Sequence, residues 1–203
     1  MLSKSARTRL FIIEKSAPIF NKKGYAGTSM ADILQATGLA KGGIYGNFTS
    51  KDEIAAEAFE YAYTQLKEAL RFRIKQQKTA VAKLQAILNF YRNYTVKPHI
   101  DGGCPLQNTA IDADDNIPFL KKKAKAALEE MIESIRHIIQ KGIDKKEFKP
   151  ELDAAREAEL FFAMIEGAIM MSKLSDNPKI LNRILDTLKQ QVQSWVQNPA
   201  ISN

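Results

Sequence analysis

A chain of 203 residues that is 45% hydrophobic can form one large or two modest globular domains with a sizeable core. One cysteine excludes an internal disulfide framework, and no apolar run approaches the roughly 20 residues that span a bilayer. Nor does a charged start precede an apolar secretion segment, so a cytoplasmic location is expected. The net charge of +7 is unevenly placed. Up to Lys51, eight basic residues stand against Glu14 and Asp32 alone, whereas the remaining 152 residues carry 22 basic and 21 acidic side chains. A field that seeks polyanions therefore belongs to the N-terminal quarter. A membrane surface is a poor partner for it, because its apolar residues fall at core spacing and leave no insertion edge.

Residues 1–5 read as a basic arm. Leu10, Ile13, Ala17 and Phe20 then recur at spacings of three and four and predict one helix, mildly kinked at Pro18 and ended by Gly24, with Tyr25 plugging a small core. Thr28 and Ser29 are N-cap types, and Ser29 with Asp32 makes a capping box that starts a helix at about Met30. Met30, Ile33, Leu34 and Thr37 share its apolar face, and Gly38 supplies the left-handed residue that ends it. Lys41 to Gly46 is too short to be stable alone, but Ile44 and Phe48 give it an apolar side to rest on. Ser50 and Glu53 form a second capping box, opening a helix to about Lys75 with Ile54, Phe59, Tyr63, Leu66 and Leu70 inward. Helix, glycine-containing turn and short helix make a helix-turn-helix pattern. Lys41, Tyr45, Asn47 and Lys51 are donors beside Gly42 and Gly43, where a bare backbone lets a phosphate approach. A solvated charged turn is the plain alternative.

The rest of the chain reads as further helices. Val81, Leu84, Leu88, Tyr91 and Thr95 form a stripe from Thr79 to Val96, and the segment PHIDGGCP from Pro98 to Pro105 then breaks the pattern. A short helix is predicted from Leu106 to about Ala113, and a longer one over residues 117–142, ended by Gly142. Asp153 and Asn177-Pro178 open the last two helices. Phe161, Ile165 and Ile169 on one, with Ile184, Leu188, Val192 and Trp195 on the other, give apolar surface broad enough to suggest a subunit interface. The expected fold class is all-α, with about nine helices.

Catalysis has no visible home. His99, His137 and one cysteine make no metal-ligand spacing, and Asp112, Asp114 and Asp115 lack the glycine and terminal glutamate of a calcium loop. No cofactor is expected. Phe90, Tyr94, Met131, Ile135, Met164 and Met170 read as core, or as the lining of a small-molecule cavity. Asn108 and Glu166, polar residues in apolar helices, are stronger candidates for such a cavity, since a buried polar group needs a partner. Cys104 is a packed thiol by default. Its place just before a helix start would also favour a reactive thiolate.

Gly24-Tyr25, Thr28, Gly38-Leu39, Lys41-Gly42, Ile44-Tyr45, Phe48 and Ser50-Lys51 resemble the DNA-binding domain of TetR-type transcriptional regulators. The resemblance covers about residues 7–55 at motif level, with two departures: Asn47 stands where a His is usual in that family, and Gly46 replaces a bulkier residue. It implies a DNA-binding domain over residues 1–50 and an effector-binding and dimerisation domain over 51–203. By the same resemblance, Thr28, Ser29, Lys41, Gly42, Gly43, Tyr45, Asn47 and Lys51 meet a double-stranded DNA operator, and the last two helices pair two copies into a homodimer. A small-molecule effector in the body would release the DNA. The resemblance also raises the cavity reading for some of Phe90, Tyr94, Met131, Ile135, Met164 and Met170, and permits Cys104 as a sensor. An effector-independent architectural DNA binder is the alternative, and an enzyme is not expected.

Overall fold

The computed structural model describes residues 3–197, and among these the fold is all-α, with nine helices and no strand. In chain order these are α1 (Lys4–Gly27), α2 (Met30–Thr37), α3 (Lys41–Tyr45), α4 (Lys51–Lys75), α5 (Ala80–Tyr91), α6 (Pro105–Ala113), α7 (Pro118–Asp144), α8 (Ala154–Leu174) and α9 (Pro178–Ser194). The chain divides into two compact units. One comprises the chain up to Lys67 together with Pro98–Ala127, and the other comprises Glu68–Lys97 and the chain from Leu128 onward. The first is thus larger than the head expected at residues 1–50, because the loop before α6, α6 itself and the start of α7 pack with the head.

In the first unit, Ile12, Ile13, Ile33, Ile44, Phe48 and Ile54 form one buried cluster, flanked by Phe20, Met30, Leu34, Leu39 and Tyr61. Alanines 17, 58 and 62 form another, where the absence of bulk lets α1 and α4 approach closely. The buried face of α1 runs through Ile12, Ile13, Ser16, Ala17 and Asn21. Leu10, expected inward, is exposed, because the α1 stripe is rotated toward Ile12. Gly24, with φ +71°, interrupts the helical backbone where the spacing predicted an end, and one further turn follows to Gly27. A Cβ at Gly24 would lie 2.7 Å from the Asp112 carboxylate, which accepts the Tyr25 backbone N–H at 2.6 Å. Both the left-handed φ and the close carboxylate therefore require glycine there.

The second unit holds the end of α4, α5, most of α7, α8 and α9. Thr79, Asp153 and Asn177 cap α5, α8 and α9 with side-chain oxygens, each cap typically worth about 1 kcal/mol. Phe148 meets Trp195 edge-on at 5.9 Å, and the same two segments pair through an isolated bridge of Phe148 with Val196. Gly142 admits the Phe148 ring so closely that a Cβ there would lie 2.3 Å from it.

The side chains expected at a subunit interface sit elsewhere. Phe161, Ile165, Ile169, Leu188, Val192 and Trp195 are buried within the single chain, and Ile184 is half-buried. The stripe read from their spacing is the intramolecular core between α8 and α9, so those six have no surface left to give a partner. The outward apolar face of α8 is formed by Leu160, Met170, Met171 and Leu174, the last 82% exposed. Leu128 is exposed on α7.

Candidate nucleic-acid interface

The helix-turn-helix is built by local chemistry. Ser29 Oγ accepts from Asp32 N at 3.1 Å while the Asp32 carboxylate accepts from Ser29 N at 2.8 Å, closing the predicted capping box. Lys23 reaches the same carboxylate at 2.7 Å, and its hydrogen bond, followed by those from Ser29, holds Asp32 well below the usual carboxylate range. Gly38, at φ +68°, ends α2 in the left-handed conformation. α3 follows after Leu39 and Ala40. It buries Ile44 completely and turns Lys41, Gly42 and Tyr45 outward, with Tyr45 52% exposed. A Cβ at Gly42 would meet nothing, and one at Gly43 would lie in ordinary contact with Leu39 at 3.4 Å. Gly42 therefore bares backbone to solvent.

The remaining residues predicted to meet DNA have other partners. Thr28 is buried, and its hydroxyl donates to the Gly24 carbonyl at 2.6 Å, closing the end of α1. Lys51, expected to hold a phosphate, donates to the carbonyls of Tyr25 and Thr28 at 2.9 and 3.0 Å, and its ammonium lies 4.0 Å from the centre of the Tyr25 ring. It thereby adds a donor to carbonyls at the end of α1, that of Tyr25 already accepting the Thr28 N–H at 3.4 Å. Asn47 donates to the Gly43 carbonyl at 2.9 Å and accepts from Ser5 Oγ at 3.1 Å, which fastens the end of α3. Ser29, Lys41, Gly42 and Tyr45 form the exposed part of the predicted set. Thr28, Gly43, Asn47 and Lys51 shape the surface that carries them.

Tyr25 joins several elements. It stacks on Phe20 at 6.5 Å, meets Phe119 edge-on at 5.9 Å and donates its hydroxyl to the Asp52 carboxylate at the start of α4. That hydrogen bond, with burial adding to it, pushes the phenol up to about 12. Ser50 Oγ accepts from Glu53 N at 3.2 Å, while the Glu53 carboxylate accepts from Thr49 N at 2.7 Å, one residue earlier than a regular capping box.

Arg9 was not singled out by the sequence reading. Its guanidinium donates to the Asn47 carbonyl, to Glu53 at 2.5 Å and, through Nε at 3.1 Å, to Glu57, and it lies 4.0 Å from the centre of the Phe48 ring. The only trace in the sequence is the four-residue spacing of Glu53 and Glu57, which puts two carboxylates on one face of α4.

The effector candidates are split between the two units. Cys104 and Asn108 lie in the first. Cys104 is buried as the N-cap residue of α6, and the Asn108 amide donates to Asn21 and to the Gly102 carbonyl, so its expected need for a ligand is met by protein. A cavity of about 20 Å³ lined by Asn21, Tyr25, Ala58, Asn108, Asp112 and Leu120 is the size of one water. In the second unit, Phe90 packs on Tyr91 at 5.1 Å and Tyr94 at 5.7 Å, with the Arg73 guanidinium 4.9 Å over its ring. Met131 and Ile135 are buried, and Met164 and Glu166 are half-buried. Met170, expected inside, is exposed on the outer face of α8.

Residues 12–58 match the family described as bacterial regulatory proteins of the tetR family, and residues 80–188 match the tetracyclin repressor-like C-terminal domain. The chain is 38% identical to a TetR-family transcriptional regulator from Cytophaga hutchinsonii, with a TM-score of 0.91 over 98% of this chain and 100% of that one. A TetR regulator from Chloroflexus aurantiacus J-10-FL is 37% identical with a TM-score of 0.92, again over 98% and 100% of the two chains. This chain is also 22% identical, over 98% of each chain, to the HTH-type transcriptional repressor DhaR of Mycobacterium sp. (strain GP1). With its helix-turn-helix head and its match over both halves, the chain belongs to the TetR family of DNA-binding transcription regulators.

Proposed function

We propose that the protein is a homodimeric repressor that reads a palindromic operator with α3 and is released from it by a small molecule held in the second unit. The observation that carries this reading is the division of labour on α3. Ile44 is wholly buried, while Lys41, Gly42 and Tyr45 face outward and take no part in the core. A helix of five residues exposing a lysine, an aromatic hydroxyl and bare backbone suits a major groove, where phosphate contacts position and base contacts specify. Repression is supported by the likeness to DhaR, which is named a repressor.

Two heads need two copies. The outward face of α8, with Leu160, Met170, Met171 and Leu174, is an exposed apolar stripe of the kind that subunit interfaces cover, and the half-buried Ile184 lies on the neighbouring α9. For the effector, Phe90, Tyr94, Met131, Ile135, Met164 and Glu166 are the candidates, all in the unit that does not carry the head. α4 and α7 each belong partly to both units, which gives a ligand two continuous helices through which to act. The coupling required is modest, since a ~100-fold loss of operator affinity is only about 2.7 kcal/mol. No described helix is long and apolar enough to cross a membrane.

The test is selection of duplexes from a randomised pool, followed by binding titrations with the protein as purified and after denaturing extraction and refolding. A palindromic consensus, bound more tightly once a copurifying molecule is stripped away, is the expected result. Equal affinity for unrelated duplexes would favour an architectural role instead.

A further inference from the structure

We propose that Arg9 is a positioning residue for DNA recognition: from α1 it fixes where the recognition helix α3 ends and so how its exposed face is aimed. The inference rests on the reading of α3 as the groove-reading element. α3 has five residues, and Ala40 at its N-cap offers no side-chain acceptor, so its start is held by backbone alone. Its other end is fastened from outside. The Arg9 guanidinium donates to the carbonyl of Asn47 and lies over the ring of Phe48, the two residues that close the turn after α3. The same planar group reaches Glu53 and Glu57 on α4, and hydrogen bonds from Arg9 are the main cause that holds Glu53 down to about 2. One turn earlier on α1, Ser5 donates to Asn47 Oδ1, and the Asn47 amide reaches back to the Gly43 carbonyl.

Each of Nε, Nη1 and Nη2 is thus committed to protein, which leaves Arg9 as a strut rather than a phosphate contact. A lysine carries the same charge but is not a planar fork and cannot hold the Asn47 carbonyl, Glu53 and Glu57 in the same geometry at once. Charge and positioning can therefore be separated.

The experiment compares wild type, Arg9→Lys, Arg9→Gln and Glu57→Gln on a duplex selected by the wild-type protein from a randomised pool and on an unrelated duplex. Anisotropy titrations are run across a range of salt, with thermal midpoints recorded for every variant. Arg9→Lys and Arg9→Gln should both lose about tenfold or more in affinity for the selected duplex, the expected scale when a supporting residue loosens a site. Their affinity for the unrelated duplex and their salt slope should stay close to wild type. Glu57→Gln removes a negative charge and on electrostatics alone should bind DNA more tightly. On the positioning account it binds the selected duplex more weakly, and this variant carries the test if Arg9→Gln fails to fold. Wild-type affinity in Arg9→Lys, a salt slope lowered by about one in Arg9→Gln as for a lost phosphate contact, or tighter binding by Glu57→Gln would each overturn the proposal. If the wild type selects no consensus, the operator reading fails by itself. Amide exchange over residues 43–48 then decides, since it must quicken in Arg9→Gln, and unchanged exchange rejects the strut.

Discussion

The side-chain amide of Asn108 on α6 donates to both the backbone carbonyl and the side-chain oxygen of Asn21 on α1, at 2.9 and 3.0 Å. Asn21 returns the link by donating to the carbonyls of Asp101 and Gly103 at 2.9 and 3.0 Å, so two asparagines clasp the loop before α6 onto the head. Gly102 fits between them only because it has no Cβ. At φ +107° one would lie 2.8 Å from the Asn21 carbonyl oxygen.

Breaking this clasp should destabilise the protein through unpaired acceptors rather than through lost apolar contact. Asn108→Ala should cost about 1–3 kcal/mol in urea unfolding, the penalty for stranded buried polar groups. Gly102→Ala, which meets both a forbidden φ and a clash, should cost at least as much. A loss under about 0.5 kcal/mol for both, the range of ordinary surface changes, would mean that the loop is not held this way.

The outer face of α8 and the buried seam between α8 and α9 should respond differently to charge. Leu174→Glu combined with Met170→Glu places two charges on exposed surface and should give folded monomers in sedimentation velocity. Leu188→Glu places one in the core and should unfold the protein, since an uncompensated buried charge is among the costliest single changes. A folded dimer surviving the double change would move the interface off α8.

Acid should weaken the head. Glu53 is held down to about 2 from an ordinary value of 4.5, first by its hydrogen bond from Arg9 and then by those from Thr49. Its folded pKa lies below its unfolded one, so its contribution is complete above pH 4.5 and drains away as the pH falls toward 2. Asp32, held low mainly by Lys23, acts in the same direction. The thermal midpoint of Glu53→Gln should therefore change less than that of wild type between those pH values. Parallel curves would show that the pairing carries no stability.

Cys104 is 1% exposed, and a thiol so enclosed reacts only when the structure around it opens. Ellman's reagent should titrate it slowly in the native protein and at once in denaturant, and Cys104→Ser should bind DNA like wild type. Prompt native reaction with release from DNA, absent in Cys104→Ser, would instead make this thiol the switch.

Elements governed by local chemistry were legible in the sequence. The Ser29 and Asp32 box, the left-handed Gly38, the starts of α8 at Asp153 and of α9 at Asn177, and the start of α4 after Ser50 all stand where short-range signals put them. What could not be read was which partner an apolar or polar stripe meets. Leu188 and Val192 have the same periodicity whether they face a sister helix or a second subunit, and the fold uses them for the first. Asn108 looked like a polar group in need of a ligand because its acceptor, Asn21, lies 87 residues away. Lys51 looked like a phosphate donor because nothing local marks the carbonyls of Tyr25 and Thr28, 26 and 23 residues away, to which it donates. Arg9 was missed for the same reason, its carboxylates being 44 and 48 residues distant.

The central claim, that the exposed face of α3 reads DNA, is tested most directly at Tyr45. Its side chain is half in solvent and half against the protein, so Tyr45→Ala should leave the thermal midpoint nearly unchanged, within the roughly 0.5 kcal/mol of ordinary surface substitutions. Anisotropy titration of wild type and Tyr45→Ala against the duplex selected by the wild-type protein is the decisive measurement. The account predicts tight, salt-dependent binding by the wild type and none above background by the folded variant. A folded Tyr45→Ala that binds the selected duplex as tightly as wild type would contradict it.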